Sequence, residues 1–180
     1  MESIRSALHH LQNRPAGVPG FLLRNALSAL STSVPHGVYD LSVDDLASGR
    51  GLEAARRTAW RCLLVDGGGA VASAEQAGDA RSGDASVTVG PFAEGMEKAI
   101  RVAEALPEVV AGTFELRFLR VSALHLAAVW LKSETSDVDV VIPLPPAPFG
   151  LEPLRPANAA TLISILKQRA TEKLTHRFHP

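Results

Sequence analysis

Between Leu124 and Lys132 both alternating sets of side chains are apolar, with Leu124, Leu126, Ala128 and Trp130 on one side and Ala127, Val129 and Leu131 on the other. A strand of this kind can leave neither face in water, which predicts a central position in a sheet covered on both sides. His125, at its start, is then expected to be buried, where its imidazole needs a hydrogen-bond partner. The segments Thr113 to Val121 and Val138 to Leu144 are also rich in β-formers, and the three together predict an antiparallel meander. In the third, Val138, Val140 and Ile142 alternate with Asp137 and Asp139. That pattern predicts one watered face, at least at the start of the strand, solvated carboxylates and a place nearer the sheet edge, with Pro143 limiting further pairing.

Upstream, Trp60 to Asp66 and Ala70 to Gln76 flank Gly67-Gly68-Gly69, a pattern that predicts a β-hairpin. A polar loop over 78–85 leads to a short strand at Ser86 to Val89. Pro91 then opens a helix whose stripe is Met96, Ala99, Ile100, Ala103 and Leu106, stopped by Pro107. Residues 1–58 read as mainly helical. Ile4, Ala7, Leu8 and Leu11 mark a first helix over 2–12, and a weaker pattern runs from Phe21 to Leu30 and breaks between Ser31 and Gly37. Ser42 or Asp44 caps a short helix that Gly49 and Gly51 interrupt. The run Pro143 to Pro148 is an extended connector, or a ligand for a proline-reading domain. Asn158 caps a last helix, 158–176, with Leu162, Ile163, Leu166, Ala170 and Leu174 on one side, placed to cover the sheet face opposite the Pro91 helix. The expectation is a single α+β domain over 1–180. Its parts are a helical 1–58, a hairpin, helix and antiparallel β-meander over 60–144, and the C-terminal helix.

A chain of 180 residues can bury a real core without staples. The one cysteine, Cys62, lies in an apolar run and is expected to be a buried thiol in a reducing compartment. Eighteen basic side chains against nineteen acidic leave a net charge of -1, and Arg56, Arg57 and Arg61 read as a helical patch or a solvated face. That charge is too little for sequence-independent phosphate binding, so no nucleic-acid partner is expected. Residues 1–13 lack the apolar core of a secretory signal. Val121 to Leu131, the longest strongly apolar stretch, is about half of a membrane span. A cytoplasmic protein without membrane contact, monomeric or homodimeric, is the expectation.

The triple glycine lacks dinucleotide-fingerprint spacing and leads into a strand, so it is read as a turn. No G-x-S-x-G elbow, C-x-x-C pair, H-E-x-x-H helix or Walker loop occurs. His9 and His10 are adjacent and would point about 100° apart on a helix, while His176 and His179 lie near the chain end. Asp44-Asp45 reads as a helix start, and Asp137 with Asp139 as edge charge. No metal and no cofactor are predicted, and no catalytic residue is identified. His125 with Arg117 or Arg120 fixing an anion over the sheet is the arrangement open to a ligand.

Pro107-Glu-Val-Val-Ala-Gly-Thr113 resembles the Q-x-V-x-G hairpin motif of cystatin-type cysteine protease inhibitors, and the order of elements over 86–144 resembles their β-α-β-β-β core. Glu108 stands where the family has glutamine, and the segment follows a helix directly. It is therefore expected to be a helix-to-sheet connection with Val109 or Val110 packed on the core. From about Trp60 to Leu151 the chain is similar to a group of uncharacterised bacterial proteins. The similarity is carried by Gly90-Pro-Phe-Ala-Glu-Gly95, Ala103-Glu-Ala-Leu-Pro107, Phe114-Glu-Leu-Arg-Phe-Leu-Arg-Val121, Ala128-Val-Trp-Leu131 and Ile142-Pro-Leu-Pro-Pro-Ala-Pro148. It implies a shared domain and no activity. The expected function is a non-enzymatic binding or accessory module for a protein partner or small ligand. The alternatives are an enzyme or cofactor binder near His125, and a cystatin-like inhibitor.

Overall fold

The computed structural model describes residues 30–78, 85–136 and 138–177. The expected helix over 2–12, the pattern over 21–29, His9, His10, Asp137, His179 and most of the polar loop lie outside the described residues. Among the described residues there are nine strands and four α-helices, an α+β arrangement, and the strand pairings given below are antiparallel. The chain divides into two compact units, each built from two separate stretches. One takes the described residues up to Gly37 with Thr58–Glu97, and the other takes Val38–Arg57 with Lys98 onward.

In the first unit, β3 (Arg56–Asp66, from Thr58) and β4 (Gly69–Ala77) form the expected hairpin, with Asp66 opposite Gly69 across Gly67-Gly68. Gly69 sits at φ +130°, and a Cβ there would lie 2.8 Å from the Glu97 carboxylate, which accepts the Ala70 N–H at 2.8 Å. Only glycine satisfies both demands. β5 (Ala85–Val89) pairs with β4, and β1 (Ser31–Thr32) pairs with Leu64 and Val65 of β3. Cys62, Leu64, Ala72 and Ala74 make the core, flanked by Leu30, Val71, Val87 and Val89. Burial raises the Cys62 thiol to about 11, so it stays protonated and inert. Arg56, Arg57 and Arg61 lie on a strand and not on a helix. Alternation along β3 carries Arg61 to the interior, where it pairs with Glu75.

In the second unit, β6 (Phe114–Val121), β7 (Leu126–Ser133), β8 (Val140–Pro143) and β9 (Ala157–Asn158) pair in order. β7 is central and covered on both faces, as its composition predicts. On one face Leu119, Val121, Leu126, Ala128, Trp130 and Val141 pack against Leu46 of α1 (Val43–Ala47) and against Leu162, Ile163, Leu166 and Ala170 of the C-terminal helix (Ala159–Arg177). Each fully buried leucine contributes about 1.5–3 kcal/mol by leaving water. On the other face Phe118, Val129 and Ile142 are buried as well. Ser42 caps α1 by accepting the Asp45 N–H at 3.0 Å, and Asn158 accepts the Ala160 N–H at 2.8 Å. α2 (Pro91–Glu104) has its residues up to Glu97 counted in the first unit and those from Lys98 in the second, and Met96, Ala99 and Ala103 on it are buried.

Further expectations change. The described part of 1–58 is not mainly helical, since His36–Asp40 forms β2, a strand that Pro35 and Gly37 hide from any periodicity. β8 is buried along its length and Asp139 before it is buried too, so of the described residues in the expected strand only Val138 meets water, while β9 pairs the second edge at Val140 and Val141. α3 (Pro107–Ala111) turns Val110 outward, 75 % exposed, and leaves Val109 half-buried. His125 is exposed, as described below.

Candidate binding surface

β6 alternates, so Glu115, Arg117, Leu119 and Val121 share one face while Leu116, Phe118 and Arg120 share the other. The two candidate arginines are thereby separated. Arg120 makes a forked pair with Asp40, Nε to Oδ1 at 2.6 Å and Nη2 to Oδ2 at 2.9 Å. His125 lies with neither of them. It ends a 3₁₀ turn (Ser122–Leu124) in the left-handed conformation at φ 53°, its N–H on the Ser122 carbonyl at 3.0 Å. The strand starts two residues later than expected, and this turn points the imidazole to water rather than into the core.

Arg117 shares a face with Leu119 and Val121 and keeps part of its side chain at solvent. Its guanidinium carbon lies 4.5 Å from the Tyr39 ring centroid and 4.6 Å from that of Trp130, and the two rings meet edge to face at 5.4 Å. Tyr39 comes from β2 and Trp130 from β7, directly opposite Arg117. Arg117 Nε donates to Glu115 Oε2 at 2.9 Å, and Nη2 donates to the same oxygen. Each ring contact is worth about 0.5–2 kcal/mol, whereas a solvent-facing ion pair is worth about 0–1. The rings therefore fix the guanidinium more firmly than the carboxylate does.

Asp139 anchors this arrangement from below. Its carboxylate accepts from Trp130 Nε1 at 2.9 Å, the Ser133 N–H at 3.0 Å and Lys132 Nζ at 3.1 Å. The expected solvated edge charge is thus a buried, three-fold acceptor that sets the tilt of the Trp130 ring. Lys132 lies opposite Glu115 across the strand pair and keeps its stem at the surface. Tyr39, Lys132 and Asp139 carry no sequence motif. Strand parity was the available signal for one part, because Arg117 shares its face with Leu119 and Val121, and Trp130 shares its own with Leu126 and Ala128.

His36, in the first unit, is a second buried polar group with no sequence signal, lying between Pro35 and Gly37. Its Nδ1 is 3.4 Å from the Val34 carbonyl, and its Nε2 has no hydrogen-bond partner among the described residues. Burial is the main cause that lowers it to about 4, so the imidazole is neutral. Nearby, Arg61 pairs with Glu75 and lies 5.3 Å from the centroid of Phe92. Among the described residues no group of three or more His, Cys, Asp or Glu side chains could hold a metal, and no helix is long and apolar enough to cross a membrane. Compared with family models, curated proteins and solved structures, the chain matches none.

Proposed function

We propose that the protein is a non-enzymatic binding module for a protein partner, and that it recognises the partner through the Tyr39, Glu115, Arg117 and Lys132 surface of the second unit. The observation that carries this reading is the packing of Arg117 into the corner formed by two perpendicular aromatic rings, with its edge still at solvent. Tyrosine, tryptophan and arginine dominate the energetics of protein interfaces because they offer a large contact area with few rotamers to freeze. Here much of that ordering is complete before any partner arrives. Arg117 is the one candidate ligand residue retained. Arg120 and His125 lie elsewhere on the unit and take no part in this reading.

A photoreactive benzoylphenylalanine at Thr113, exposed at the rim, tests the reading in the native host, with Glu152 as the exposed control position. The expected result is one discrete adduct from Thr113, absent from Glu152 and lost when Lys132→Glu reverses a charge at the surface. The same products from both positions, or an adduct indifferent to Lys132→Glu, would contradict it.

A further inference from the structure

Building on that reading, we infer that the partner presents an acidic segment whose carboxylates replace Glu115 at Arg117, so that Glu115 is an internal stand-in holding the site until the partner arrives. The exposures of the two side chains differ in the required sense. Arg117 is 19 % exposed and clamped by rings, while Glu115 is 41 % exposed and is the solvated half of the pair. An outside carboxylate therefore meets a guanidinium that is already ordered, and displaces a group that returns to water at little cost.

The charge balance of the surface points the same way. Asp139 is withdrawn, 10 % exposed, with three donors on it. Lys132, directly across from Glu115, is 37 % exposed. Once Glu115 swings out, Arg117 faces the partner with no carboxylate on it, and Lys132, which reaches Asp139 at 3.1 Å but is partly exposed, lies about one diagonal strand step away. That spacing suits carboxylates along an extended acidic peptide better than a single small anion. Glu134, exposed in the bend after β7, is the like charge at the rim. It supplies the control for any general effect of charge removal.

The probe is a capped tetraglutamate peptide, with capped tetraglutamine beside it, titrated at low salt onto the whole chain. Binding is read from the Arg117 Nε–H and Trp130 indole N–H resonances, with Trp60→Phe to assign the indole. Tetraglutamate should shift both resonances and tetraglutamine neither. Glu115→Gln should tighten binding about fivefold, the worth of the displaced pair. Glu134→Gln, which removes the same charge at the rim, should change it by less than about twofold. Arg117→Gln should abolish binding. If that variant fails to fold, Lys132→Gln, which keeps the ring clamp, should weaken it. Equal gains from Glu115→Gln and Glu134→Gln, equal binding of the two peptides, or no binding to Glu115→Gln would overturn the inference. Should the Thr113 adduct persist in that case, only the acidic segment is wrong; should it be absent too, the binding-surface reading falls with it.

Discussion

Trp130 serves two purposes that separate variants can distinguish. It fills the face of β7 toward the C-terminal helix, and its Nε1 donates to the buried Asp139. Trp130→Ala should therefore lower stability by about 3–5 kcal/mol through the cavity. Trp130→Phe keeps most of the ring but leaves Asp139 one donor short, and should cost about 1–3 kcal/mol. Urea midpoints measure both, and an unchanged midpoint for either would contradict this double role. His36 makes a pH prediction. Its imidazole is held near 4 in the fold against 6.5 when exposed, so below pH 6.5 the unfolded chain takes up a proton that the native state refuses. Its contribution is complete above 6.5, is lost as pH falls toward 4, and is level below that. The loss amounts to about 3 kcal/mol. Arg61 and Glu75 beside it exert small, opposed effects. His36→Gln should flatten the stability profile across that window, and an unchanged slope would assign the acid sensitivity to other groups. At this scale little was legible. The partners of Asp139 and the surroundings of His36 are contacts that no local pattern encodes. The separation of Arg117 from Arg120 was legible, since residues three apart on a strand face opposite ways.

Elements with a local signature were read correctly. The hairpin announces itself by three glycines between two apolar runs, α2 by Pro91 and a helical stripe, and the C-terminal helix by Asn158 and its leucines. β7 followed from being apolar on both sides. The elements missed or misplaced lack such marks. β2 is five residues between turn formers, and β9 is a two-residue strand that closes the edge of β8 from beyond a proline run. The segment after α2 forms α3 and leads directly into β6. A Cβ at Gly112 would lie 2.8 Å from the Glu108 carbonyl oxygen and 2.9 Å from the Phe114 ring, so this glycine serves a close approach within the connection. Gly112→Ala should cost about 1–3 kcal/mol. Val110→Asp, at an exposed position, should stay within about 0.5 kcal/mol. The opposite order of the two melting shifts would show that Val110 is the packed residue.

Over the whole molecule, the described chain resolves into two compact units, each assembled from separate stretches of sequence. Net charge is -1, and two arginines that composition offers for phosphate contact are held by carboxylates, Arg61 by Glu75 and Arg120 by Asp40 in a forked pair. A single-stranded oligonucleotide should therefore not bind at about 150 mM salt, and tight binding that weakens steeply with salt would contradict this balance. The proposed surface depends on one physical claim, that Arg117 is held for a partner by Tyr39 and Trp130 and not by Glu115. Nitrogen-15 relaxation of the Arg117 Nε–H in Glu115→Gln tests it without any partner. The clamp predicts that this N–H stays as ordered as in the unsubstituted protein and loosens when Tyr39 is changed to leucine. A guanidinium that becomes mobile as soon as Glu115 is neutralised would show that the ion pair, and not the rings, had been holding it.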